Sequence, residues 1–83
     1  MRVAISIDKK TFIEIPNFDV HNAVLPSVGD CWESPSQEDI DFRIKNGYMV
    51  VTGELHPDRL YKVVSRVFYK MDCREVYLKM ESL

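Results

Sequence analysis

The chain has 83 residues, 46% of them hydrophobic and 29% charged, with a formal net charge of −2. That length gives one small domain, 1–83, with a thin core, and the apolar share excludes a disordered chain. A mildly acidic balance, with a pI near 5.6, argues against the strongly basic footprint of a dedicated nucleic-acid binder.

The charge is unevenly spread: residues 1–58 carry 5 basic and 10 acidic side chains, and residues 59–83 carry 6 and 3. MRVAISIDKK lacks the apolar run of a secretory leader, and no stretch has the length of a membrane span. Two cysteines, Cys31 and Cys73, make no disulfide framework, so a cytoplasmic location is expected.

Residues 2–7 alternate, with Val3, Ile5 and Ile7 on one face. After Asp8-Lys9-Lys10 a second run, Phe12 to Ile15, predicts a hairpin pairing Ile7 with Ile13 and Ile5 with Ile15 across about three to five loop residues. Pro16 ends that ladder. Pro26-Ser27-Val28-Gly29-Asp30 predicts a turn, and Cys31-Trp32-Glu33 a short strand with Trp32 as a packing anchor.

Residues 34–55 admit two readings. Strict alternation over Asp39–Lys45 into Asn46-Gly47 is the pattern of a tight hairpin, pairing Ile44 with Met49 and Phe42 with Val51, and this reading is preferred. Its rival is a short helix within 35–46, capped by Ser34, with Pro35 in its first turn and Gly47 at its end.

The strongest pattern is Tyr61–Glu81. Opposite parity in its two arms predicts a long antiparallel hairpin with Lys70 across from Glu75, Tyr69 from Val76 and Val67 from Leu78. Phe68 then lies across from Tyr77, and Arg66 falls opposite Lys79, a like-charge contact that an anion would relieve.

The pattern as a whole predicts a mainly β fold: a small antiparallel barrel or strongly bent sheet of about five to seven strands, and closure would remove exposed edges. The expected inner residues are Val3, Ile5, Ile7, Ile13, Ile15, Trp32, Val51, Val63, Val67, Tyr69, Val76 and Leu78.

Residues able to carry chemistry are scattered. Cys31, Cys73, His21 and His56 lack the paired spacing of a zinc site. The acid–histidine neighbours Asp19/His21 and His56/Asp58, with Ser27, Ser36 and Ser65, sit in no nucleophile signature. Glu38-Asp39-Asp41 reads as a solvated strand face or a helix's first turn, and the three glycines form no phosphate loop. No enzyme, metal or cofactor is expected.

The best binding candidate is the outward face of the long hairpin, where Lys62, Arg66, Lys70 and Lys79 surround Phe68 and Tyr77. Such a face suits a protein partner or self-association. Its interleaved cations and rings also suit single-stranded nucleic acid, the second choice.

Two stretches carry a resemblance. Leu25-Pro26-Ser27-Val28-Gly29-Asp30-Cys31-Trp32, followed by Tyr61-Lys62-Val63-Val64-Ser65-Arg66-Val67-Phe68-Tyr69 and Val76-Tyr77-Leu78, is similar to a loose pattern in small uncharacterised bacterial proteins, often from mobile or phage-derived regions. In these an LPxVGD turn precedes a closing YxVVxRxxY…VxL hairpin in an SH3-like barrel. The resemblance implies a fold and supplies no activity and no functional residue. The segment Ser34–Gly47 departs from the pattern and reads as an insertion.

Overall fold

The computed structural model describes residues 1–19, 23–69 and 74–83. They form β1 (Arg2–Ile7), β2 (Thr11–Ile15), β3 (Cys31–Glu33), α1 (Gln37–Lys45), β4 (Val50–Thr52), β5 (Leu60–Tyr69) and β6 (Glu75–Ser82). The strands make one curled half-barrel sheet of order β3-β5-β6-β1-β2-β4, with one short helix.

The mainly β fold is borne out, as the strongly bent sheet and not the closed barrel. One feature departs from the expected antiparallel pairing: the sheet is mixed, because β1 runs parallel to β6 at its centre, Val3 opposite Val76 and Ile5 opposite Leu78. The edges β3 and β4 have three residues each, and their shortness limits the exposed ladder.

The first hairpin forms with a three-residue loop, Asp8 to Lys10, within the expected length but in another register. Asp8 and Lys9 both take positive φ, 50° and 58°, and the Lys10 amide donates to the Ile7 carbonyl at 2.9 Å. This mirror-image turn matches the twist of the strands it joins. Ile5 therefore pairs with Ile13 and Val3 with Ile15, two positions from the expected register. A shift of two keeps every side chain on its face, so the apolar set still points inward.

The segment preferred as a hairpin is α1. Ser36 accepts the Asp39 amide at 3.3 Å as N-cap, Glu38 and Asp39 lie in the first turn, and Arg43 and Lys45 lie in the last. Ile40 is its one buried residue, while Phe42 faces away beside Tyr48. Ser34, the expected cap, is itself buried. Its hydroxyl donates to the His56 carbonyl at 2.7 Å and accepts the Arg59 amide at 3.0 Å, tying the approach to the helix to the start of β5.

The long hairpin forms, but in another register. Tyr69 pairs with Glu75, Phe68 with Val76, Val67 with Tyr77 and Arg66 with Leu78. A bulge at Val64 then changes the alignment, so that Val63 faces Met80 and Lys62 faces Glu81. The PSVGD turn sits against the bulge: the Gly29 amide donates to the Val63 carbonyl and the Val63 amide to the Asp30 carbonyl, each at 2.9 Å. Gly29 at φ 95° adopts a backbone that other residues resist.

One face of the sheet holds the core. Val3, Ile5, Ile7, Ile13, Tyr61, Val63, Val76, Leu78 and Met80 are buried there beneath Ile40, Met49 and Leu55, with Ile15, Trp32 and Val51 partly buried against them. Val67 and Tyr69, expected inside, are exposed at 42% and 48% because the bulge turns their half of the strand over. Glu75, expected across from Lys70, pairs with Tyr69 instead, and Lys70 itself lies outside the described residues, as do His21 and Cys73.

Candidate interaction surface

The five described residues among those predicted to share a surface divide between two. Arg66 and Phe68 pair with Leu78 and Val76, so they lie on the core side of the sheet, beyond the end of the packed interior. There the Arg66 guanidinium stands 5.4 Å from the Phe68 ring centroid and donates to the Ser27 hydroxyl at 3.1 Å. Lys62, Tyr77 and Lys79 lie on the opposite, outer side. The expected Arg66–Lys79 repulsion does not arise, because Ser65 takes the place across from Lys79.

The outer side gathers Tyr77 and Lys79 with Val67 and Tyr69, which were expected inside, and with Phe12 and Val50, which the sequence pattern left unassigned. Across the strands run Val50, Glu14, Ala4, Tyr77 and Val67, neighbour to neighbour, and beside them Thr52, Phe12, Ser6, Lys79 and Ser65. Phe12, Val50, Val64, Val67 and Tyr69 are all more than a third exposed. Tyr69 meets Tyr77 edge to face, with ring centroids 6.3 Å apart. Phe12, Val64, Tyr77 and Met80 line a groove of about 560 Å³ whose rim carries Asp8, Lys9, Lys79 and Glu81.

Charge is arranged differently at the two ends of this face. At one end Arg2 reaches Glu14 at 2.6 Å and Glu75 at 3.5 Å. At the other, Asp8 accepts the Ser82 hydroxyl and amide, which hold its carboxyl below the usual range. Among the described residues Lys9, Lys62 and Lys79 make no ion pair there.

A second, more polar cleft of about 360 Å³ lies nearby, lined by Lys10, Thr11, Glu54, His56, Arg59 and Tyr61, among others. The Thr11 hydroxyl is committed to the Glu54 carbonyl at 2.7 Å, and His56 Nδ1 sits 4.0 Å from the Glu54 carboxylate. The other residues weighed for chemistry hold structural places. Ser36 caps α1, Asp39 pairs with Arg43 at 3.1 Å, and Asp41 accepts the Gln37 amide at 2.9 Å. Cys31 is an exposed free thiol. Among the described residues no group of three or more His, Cys, Asp or Glu could hold a metal ion, and no helix is long and apolar enough to cross a membrane.

Comparison with models of protein families, with curated proteins and with solved structures finds no match to this chain.

Period-two reading missed Phe12 because it counts as the odd apolar residue on a polar face. The available signal was its company: Ala4 and Ser6 on the neighbouring strand are small, which leaves room around a large ring.

Proposed function

We propose that this protein is a non-catalytic interaction module that engages a protein partner, or its own copy, through the outer face of its sheet. The supporting observation is the run of apolar and aromatic side chains from exposed Phe12 past half-buried Tyr77 to exposed Val67 and Tyr69, on the side away from the core. Contiguous apolar surface with a charged rim marks contact sites, and rigid aromatic rings supply binding area at low entropic cost. This reading keeps the SH3-like resemblance as its fold family and the cytoplasm as its compartment, the latter favoured by the exposed Cys31 thiol.

The second reading, a single-stranded nucleic-acid-binding small barrel, draws on Arg66 over Phe68 and on Lys62 and Lys79 near Tyr77. It is weaker, because these groups fall on opposite sides of the sheet and a single strand could not stack on both.

A photo-crosslinking residue placed at Phe12 tests the first reading against the same residue at Phe42, which is exposed on α1. Protein adducts that form from position 12 and not from position 42 are expected. Equal labelling from both positions would remove the outer face from consideration. Oligonucleotide binding that falls steeply with salt and is lost in Arg66→Ala would favour the second reading instead.

A further inference from the structure

We infer that the polar cleft where the β1–β2 turn, the segment after β4 and the start of β5 meet is a binding site for a small phosphate monoester. This goes beyond the interaction-module reading and rests on none of the exposed residues that carry it.

Tyr61 is the first ground. It is 2% exposed, with its ring tilted against Trp32, and it lines the cleft. Its hydroxyl makes no hydrogen bond among the described residues, where no fully buried side-chain polar atom lacks a partner. The hydroxyl therefore keeps a little open surface, and the cleft is where it opens. A phenol this deep in a protein normally has a partner, and here only an occupant of the cleft can supply one.

The balance of donors and acceptors is the second. Asp8 already accepts the Ser82 hydroxyl and amide. The Glu54 side chain is turned outward, 83% exposed, beside His56. The Thr11 hydroxyl is spent on the Glu54 carbonyl at 2.7 Å. By contrast, the side chains of Lys10 and Arg59 make no ion pair or hydrogen bond among the described residues. Lys10 and Arg59 offset Asp8 and Glu54 in formal charge, so the attraction is by direct contact and not by net field. Free donors without free acceptors call for an oxygen-rich anion. A phosphate monoester presents three acceptor oxygens, one each for Lys10, Arg59 and Tyr61, whereas a carboxylate presents two. The volume of about 360 Å³ is in the range of small-ligand sites and leaves room for the organic part.

The walls are fixed in advance. Gly53 has φ 91°, and a Cβ there would stand 2.6 Å from the Lys10 carbonyl oxygen, so glycine lets the two backbones close on one another. The Ser34 hydroxyl holds both the His56 carbonyl and the Arg59 amide. Little ordering is then left for the ligand to impose.

NMR titration of the isotope-labelled whole chain with inorganic phosphate and with phenyl phosphate, at ionic strength matched by sodium chloride, tests the site. Saturable amide shifts centred on Lys10, Thr11, Arg59 and Tyr61 are expected, with a dissociation constant on the order of 1 mM. Tyr61→Phe and Arg59→Gln should each weaken binding at least about fivefold. Tyr61→Phe should also keep the parent's urea midpoint, because the hydroxyl has no partner in the protein; a lowered midpoint would mean that it serves the fold and would overturn the inference. The same follows if no shift saturates well above that concentration, if acetate binds equally well, or if both variants bind like the parent. None of these outcomes touches crosslinking from position 12, so the two readings fail separately.

Discussion

Two side chains outside the hydrophobic core fix points that the strands alone leave loose. Ser34 is 2% exposed and satisfies backbone groups of the segment leading into β5. Removing its hydroxyl leaves the Arg59 amide and the His56 carbonyl short of a partner in a dry place, which costs about 1 to 3 kcal/mol. Urea unfolding should therefore show a larger loss for Ser34→Ala than for Ser36→Ala, the exposed N-cap. Equal losses would mean that water replaces the Ser34 contacts. Asp8 is tied to Ser82, and its carboxyl is held below its ordinary range by those two hydrogen bonds. A depressed native value means that the contribution is complete above the unfolded carboxyl pKa, near 3.9, and is lost as pH falls through the native value. Acid titration of stability should show this loss below about pH 4, and Asp8→Asn should flatten it.

At the scale of the element, the bulge at Val64 decides which residues of β5 are structural. Before it, Tyr61 and Val63 point into the core; after it, Val67 and Tyr69 point to the outer side. Val63→Ala should cost about 2 kcal/mol, because it opens a cavity at a fully buried position. Val67→Ala, at an exposed position, should cost under about 1 kcal/mol. Urea unfolding of the pair reads the register directly, and similar losses from both would contradict the bulge. Alternation was enough to find both arms of this hairpin and to mark Val76 and Leu78 as inward. It could not find the bulge, since one extra residue inverts parity without leaving a mark in composition. For α1 the signals for helix and hairpin were both present in 34–47. Burial of Ile40 and the Ser36 cap decided between them, and only the first depends on the rest of the fold.

For the molecule as a whole, strand content, the first hairpin and most of the core on β1, β2 and β6 were legible. Ile40, Met49, Leu55 and Tyr61 were not, because they reach the core from a helix, from loops and from just before a bulge. The candidate surface was half legible. Tyr77, Lys62 and Lys79 were read on the correct side, whereas Arg66 and Phe68 were displaced from it by the bulge and Phe12 was overlooked. Open edges and a parallel pair at the centre depend on contacts far apart in the chain, which local periodicity does not encode.

That central pair bears on how the protein is made. Arg2 and Glu75, partners across β1 and β6, are 73 positions apart. At roughly 5 to 20 residues per second, a nascent chain carries β1 with one flank unpaired for on the order of 4 to 15 seconds. Val3, Ile5 and Ile7 wait on the ribosome without their neighbour throughout that interval, which is when a chaperone would have the most to hold.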